Sequence, residues 1–142
     1  MILDERQLGV ILQASLDRAG EFLKEAGSFL PFGTRAGIGG EVEFLESEGR
    51  GGSPDALYDR IAGMLAQDAR AGKILASALV GNASLPEGVQ RVFDTAVAVL
   101  VEGAGFCRSI VVPYRLVRDG QRTAIEFGRM IPEAANPVVF GE

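Results

Sequence analysis

Histidine and tryptophan do not occur in this 142-residue chain, and cysteine occurs once, at position 107. The missing histidine removes the side chain that most often serves as general base near neutral pH and as a transition-metal ligand. A single cysteine permits no intrachain disulfide, so stability has to come from burial, and a reducing compartment is the simplest expectation. Lysine and arginine never run together, and the net charge is −5. Binding to nucleic acid needs a concentrated basic patch, which this pattern does not supply. No apolar run approaches the roughly 18–20 residues of a membrane-spanning helix. The first residues carry Asp4 and Glu5 with no apolar core behind them, unlike a secretory leader. These absences predict a soluble, cytoplasmic protein with neither nucleic acid nor membrane as partner.

What is present reads as an ordinary globule, 47% hydrophobic and 23% charged, whose length fits one α+β domain over residues 1–142. A chain of this size buries about two-thirds of its unfolded surface without staples.

Residues 29–47, FLPFGTRAGIGGEVEFLES, place glycine at 33, 37, 39 and 40. Phe32, Thr34, Ala36 and Ile38 alternate with Gly33, Arg35 and Gly37, and Val42 and Phe44 continue beyond the glycine pair. Period two on both sides of Gly39-Gly40 predicts a β-hairpin. Setting Ile38 opposite Val42 and Ala36 opposite Phe44 keeps the apolar residues on one face and leaves residues 39–41 as a three-residue loop. A phosphate-binding loop is the competing reading, and three features oppose it. No Lys-Ser or Lys-Thr pair follows the glycines, Val42 stands where a dinucleotide fingerprint needs its third glycine, and no helix begins there to face an anion.

Helices are expected on either side. Asp4 with Gln7 resembles a capping box, Leu8, Leu12, Leu16, Ala19, Leu23 and Ala26 form an apolar stripe widened by Ile11 and Phe22, and Gly27 suits the C-terminal cap. Residues 49–53, GRGGS, read as a flexible connector. Ser53-Pro54-Asp55 then starts a second helix, with Leu57, Ile61, Met64 and Leu65 turned inward and Gly72 at its end.

Residues 73–85 are apolar and alanine-rich, and we read them as a strand followed by a loop, GNASLPEG; a helix continuing to Val80 is the competitor. Residues 91–102 are apolar on both sides, as a central strand would be. Residues 103–105 turn the chain into a strand over 106–117, where Pro113 signals an edge or a bulge. Asp119-Gly120 marks a second hairpin turn before a strand over 122–131. The tail carries a small apolar patch at 138–140, expected to pack down. The predicted architecture is helix–β-hairpin–helix followed by three or four antiparallel strands, with the helices packed on one face of a single sheet.

Several side-chain groups invite a chemical reading. Glu41, Glu43 and Glu46, with Glu102 or Glu126, have the oxygen chemistry of a hard-cation site but lack a calcium-loop pattern, so a solvated strand face is favoured. Arg108 could activate Cys107, yet no histidine is available as its base, and a buried structural thiol is favoured. No serine sits in a nucleophile elbow, and no spacing selects a pairing with Lys24 or Lys73. Tyr114 and Arg115 suit a partner contact; the plainer expectation is Tyr114 in the core and Arg115 in water. Phe22, Phe44, Leu57 and Tyr114 could together line a ligand pocket between helix and sheet.

FLPFG at 29–33 followed by GGEVEFLE, and VPYR at 112–115 before the strand carrying EFGRMI, resemble the hairpins of small bacterial proteins without assigned activity. The resemblance implies the strand assignments and nothing about function. The element order also resembles roadblock- and profilin-type folds, a likeness of order alone.

The leading expectation is a non-catalytic module that binds protein, a homodimer through an open sheet edge being the simplest case. A small-ligand domain is the alternative, and a carboxylate- and metal-dependent enzyme is the third. No cofactor and no metal site are expected.

Overall fold

A computed structural model describes residues 5–46, 53–84 and 95–140. Its elements are α1 (Glu5–Ala26), β1 (Phe32–Gly37), β2 (Val42–Leu45), α2 (Pro54–Arg70), β3 (Ile74–Ser84), β4 (Thr95–Gly103), β5 (Phe106–Asp119), β6 (Arg122–Phe127) and β7 (Ile131–Ala134). All strands join one antiparallel sheet in the order β2-β1-β3-β4-β5-β6, with β7 alongside β5 beyond the end of β6. The architecture is α+β. The expected cap at Asp4, the connector at 49–52 and the stretch 85–94 lie outside the described residues.

The two helices take opposite faces of the sheet, which corrects the expectation of one shared face. Alternate residues of a strand point to opposite sides. Phe32 and Ala36 of β1, Ala76, Ala78 and Val80 of β3, and Val97, Val99 and Val101 of β4 pack with Ile11, Leu16, Ala19 and Leu23 of α1. The intervening residues Leu79 and Leu100 pack instead with Leu57, Ile61 and Leu65 of α2. The reason was visible in the two-sided apolar character of residues 91–102. A strand greasy on both faces needs cover on both.

β1 lies close under α2. A side chain added at Gly33 would stand 2.8 Å from Ile61 Cγ2 and 3.1 Å from Leu65 Cδ1. This glycine therefore serves helix–sheet approach rather than chain reversal. Reversal falls to the loop at 38–40, where Gly40 has φ +88° and the Gly37 N–H bonds to the Glu41 carbonyl at 2.9 Å. The hairpin register is Ala36 opposite Val42 and Thr34 opposite Phe44. It is displaced by two residues on one strand from the expected alignment, and the three-residue loop moves from 39–41 to 38–40. A shift of two residues on one strand preserves the face of every side chain, so hydrophobic pattern could not distinguish the two registers.

α1 ends as expected, with Gly27 at φ +76° and its N–H on the Leu23 carbonyl at 2.9 Å. Ser53 caps α2 by accepting from the Ala56 N–H. Two stripe residues face water: Met64 of α2, whose inward place is taken by Ala62, and Ala26 at the end of α1.

Residues 74–84 are strand, and β3 runs further than expected, since residues 81–84 pair with residues 95–98 of β4 rather than forming a loop. Five strands follow α2, one more than the largest number predicted. The additional one is β7, whose Pro132 disguised it. Pro113 lies where β5 exchanges one partner strand for another. Its carbonyl accepts from Gly128 N–H at 2.7 Å at the end of β6, and β7 begins pairing at Val111 with a one-residue change of register. The expected interruption is present, but on a strand with neighbours on both sides.

Candidate functional site

The sheet closes its α1 face around a buried polar contact. Ser15 Oγ lies 2.8 Å from Thr34 Oγ1 and donates to the Ile11 carbonyl, so helix and strand meet with their hydroxyls satisfied. Phe22 and Phe44 flank Phe32, with ring centroids 5.8 and 6.3 Å away, and the Arg18 guanidinium lies over both outer rings. Glu46 and Glu21 hold that guanidinium and push its pKa up.

Of the residues expected to share a pocket, Phe22 and Phe44 are thus brought together. Leu57 lies across the sheet from them in the α2 cluster. Tyr114 is buried in the α1-face core, and its hydroxyl donates to Asn82 Oδ1 at 2.9 Å. One cavity lined by all four does not form, because the sheet separates Leu57 from the other three. Arg115 is exposed and grips Glu126 on the neighbouring strand through Nε and Nη2, both at about 3.0 Å.

Apart from Glu41, the acidic residues weighed as a cation site are engaged elsewhere. Glu43 and Asp68 hold Arg35, Glu46 holds Arg18, and Glu126 holds Arg115. Among the described residues no group of three His, Cys, Asp or Glu is placed to hold a metal ion.

Glu102 is fully buried, a feature not foreseen from the sequence. Its carboxylate accepts the backbone N–H groups of three successive residues, Val138 at 2.9 Å, Val139 at 2.9 and 3.1 Å, and Phe140 at 3.2 Å. Val139 is buried in the α2-face cluster. The apolar patch at 138–140 therefore packs down as expected, tied by a charge-assisted contact that its apolar sequence does not advertise. Glu102 lies between Ser77 and Cys107 on the adjoining strands. Burial pushes the Cys107 thiol above its usual pKa, Glu102 adds to that, and Arg108 opposes it without prevailing. A neutral, buried thiol is a poor nucleophile.

A cleft of about 550 Å³ lies at one end of the α2 face, with Phe29, Pro31 and Tyr58 as walls and Asp55, Asn82 and Thr95 as polar groups. Burial, with smaller contributions from Glu102 and Asp59, raises the Tyr58 pKa.

The outer end of the sheet differs in character. Leu116, Val117, Phe127 and Met130 are all exposed there, Phe127 by 43%. β6 has no strand on its outer side among the described residues. The N–H and carbonyl of a strand residue point to the same side, and that side alternates. Pro113 directs its carbonyl to the β6 side, so Arg115, Val117 and Asp119 do likewise and bond with Glu126, Ala124 and Arg122. Thr123, Ile125 and Phe127 consequently turn their backbone groups outward. A groove of about 570 Å³ runs along this edge, walled by Asp17, Gly20 and Glu21 of α1. No helix among the described residues is long and apolar enough to cross a membrane. Comparisons with family models, curated proteins and solved structures find no match.

Proposed function

We propose that this protein is a non-catalytic association module that binds protein through the outer end of its sheet. The supporting observation is the β6 edge, where outward-facing backbone groups adjoin the exposed side chains Leu116, Val117, Phe127 and Met130. An unpaired edge is a template for another strand, and backbone bonds supply affinity without demanding a particular sequence. The disposition of the acids and of Cys107 offers no support to the carboxylate-enzyme reading, since each acid weighed for it apart from Glu41 is bonded to arginine or to backbone amides. A cytoplasmic setting suits a chain with one buried, unpaired thiol.

The 550 Å³ cleft favours a second reading, a small apolar ligand held between α2 and the sheet end. Light scattering at micromolar concentration, together with cross-linked pull-down from a native lysate, separates the two. The association reading expects a mass above the monomer or a captured protein, lost in Phe127→Lys. A strict monomer with an empty pull-down, whose melting temperature rises with a small metabolite, would transfer the function to the cleft.

A further inference from the structure

Resting on the association reading, the chemistry of the sheet edges also selects the partner. Three edges face outward among the described residues. β2 carries Glu43 between Glu41 and Glu46, so a second β2 laid against it would bring acid against acid. β7 carries Pro132 opposite Ile110, a position whose backbone turns away from β5. The missing N–H therefore falls on the outer edge and blunts it. β6 alone combines outward amides at Thr123, Ile125 and Phe127 with charges of both signs, Arg122 and Glu126, two residues either side of Ala124.

That symmetry has a geometric consequence. We propose that the partner is a second copy of this chain, joined β6 to β6 in antiparallel about a two-fold axis at Ala124, with Arg122 of each copy facing the partner's Glu126. The hydrogen-bond alternation fits this register. Thr123 meets the partner's Ile125 as a hydrogen-bonded pair, both turning their backbone outward, and Ala124 meets its own equivalent as a non-bonded pair on the axis. Arg122 has no ion-pair partner among the described residues, since each of the five ion pairs there uses another arginine. Glu126 accepts from Arg115 and retains acceptor capacity for a second guanidinium. On the other face, Ile125 of each copy meets the partner's Thr123 in the groove beneath the flank of α1. The contact is isologous and closes, so it yields a dimer rather than a fibre.

Sedimentation velocity of the full chain tests the register. Wild type is expected to dimerise with concentration. Arg122→Glu alone sets acid against acid twice per dimer, and Glu126→Arg alone sets base against base; each should weaken dimerisation by about tenfold or more. Mixing the two variants restores opposite charges at both places, so a heterodimer should form where neither variant self-associates. Thermal melts of each variant confirm folding, and Thr123→Pro, which removes an outward N–H only, should abolish the dimer independently. A wild-type dimer indifferent to Arg122→Glu and to the mixture would overturn this register and leave the association reading standing. A wild type that stays monomeric at every concentration would overturn the second copy as partner, and an empty pull-down would then remove the association reading as well.

Discussion

Gly33 belongs to a glycine-rich stretch whose period predicts a hairpin, but its particular task is to let β1 approach Ile61 and Leu65, which lie far along the chain. No local signal distinguishes a glycine that permits a turn from one that permits contact. Ser15 occupies a helix position that polarity assigns to water, yet it is buried because Thr34 answers it. Cys107 was legible as a structural thiol, since a free cysteine without a base is usually buried. Its environment makes a prediction with a definite sign. The folded state favours the neutral thiol, holding its pKa above the usual 9.0, and Tyr58 is likewise held above 10.0. As pH rises the unfolded chain ionises first, so stability is fully present below these usual values and is lost as pH climbs toward the folded pKa values. Urea denaturation from pH 7 to 10.5 should show a decline beginning near pH 9, and Cys107→Ala should flatten its first part while leaving the tyrosine's contribution. Flat stability across that range would contradict the assignment.

At the scale of elements, periodicity carried both helices and the first hairpin, two-sided apolar composition and flanking turn residues carried β3 and β4, and irregular chemistry concealed the rest. β7 is four residues with a proline, too short and too broken to be read as strand. The placement of α2 opposite α1 was signalled only indirectly, by the two-sided apolar character of residues 91–102 and not by any pattern within the helices. Glu102 lies in an apolar run, where a charge looks like a solvated interruption. It is instead the acceptor that holds residues 138–140 against the sheet. Glu102→Ala would leave successive amides without their acceptor around a buried valine. We expect a loss of about 2–4 kcal/mol in urea denaturation, with faster proteolysis within residues 135–140. Glu102→Gln keeps the shape and one acceptor oxygen and should lose less. Equal, negligible effects of both substitutions would show that burial of Val139 alone secures this segment.

For the molecule as a whole, the exclusions drawn from composition and the arrangement of side chains point the same way. The acids weighed for a metal site, Glu41 apart, are bonded, the thiol is neutral, and four exposed apolar side chains, Leu116, Val117, Phe127 and Met130, lie together at the β6 end of the sheet. We propose the β6 edge as the place where this protein meets its partner. Amide hydrogen exchange resolved by residue tests it most directly, measured as protein concentration is raised. The amides of Arg122, Ala124 and Glu126 already bond inward and should exchange slowly throughout, whereas those of Thr123 and Ile125 should pass from fast to slow as copies pair. Fast exchange at Thr123 and Ile125 at every concentration, in a protein that nonetheless assembles, would place the contact elsewhere and contradict the account.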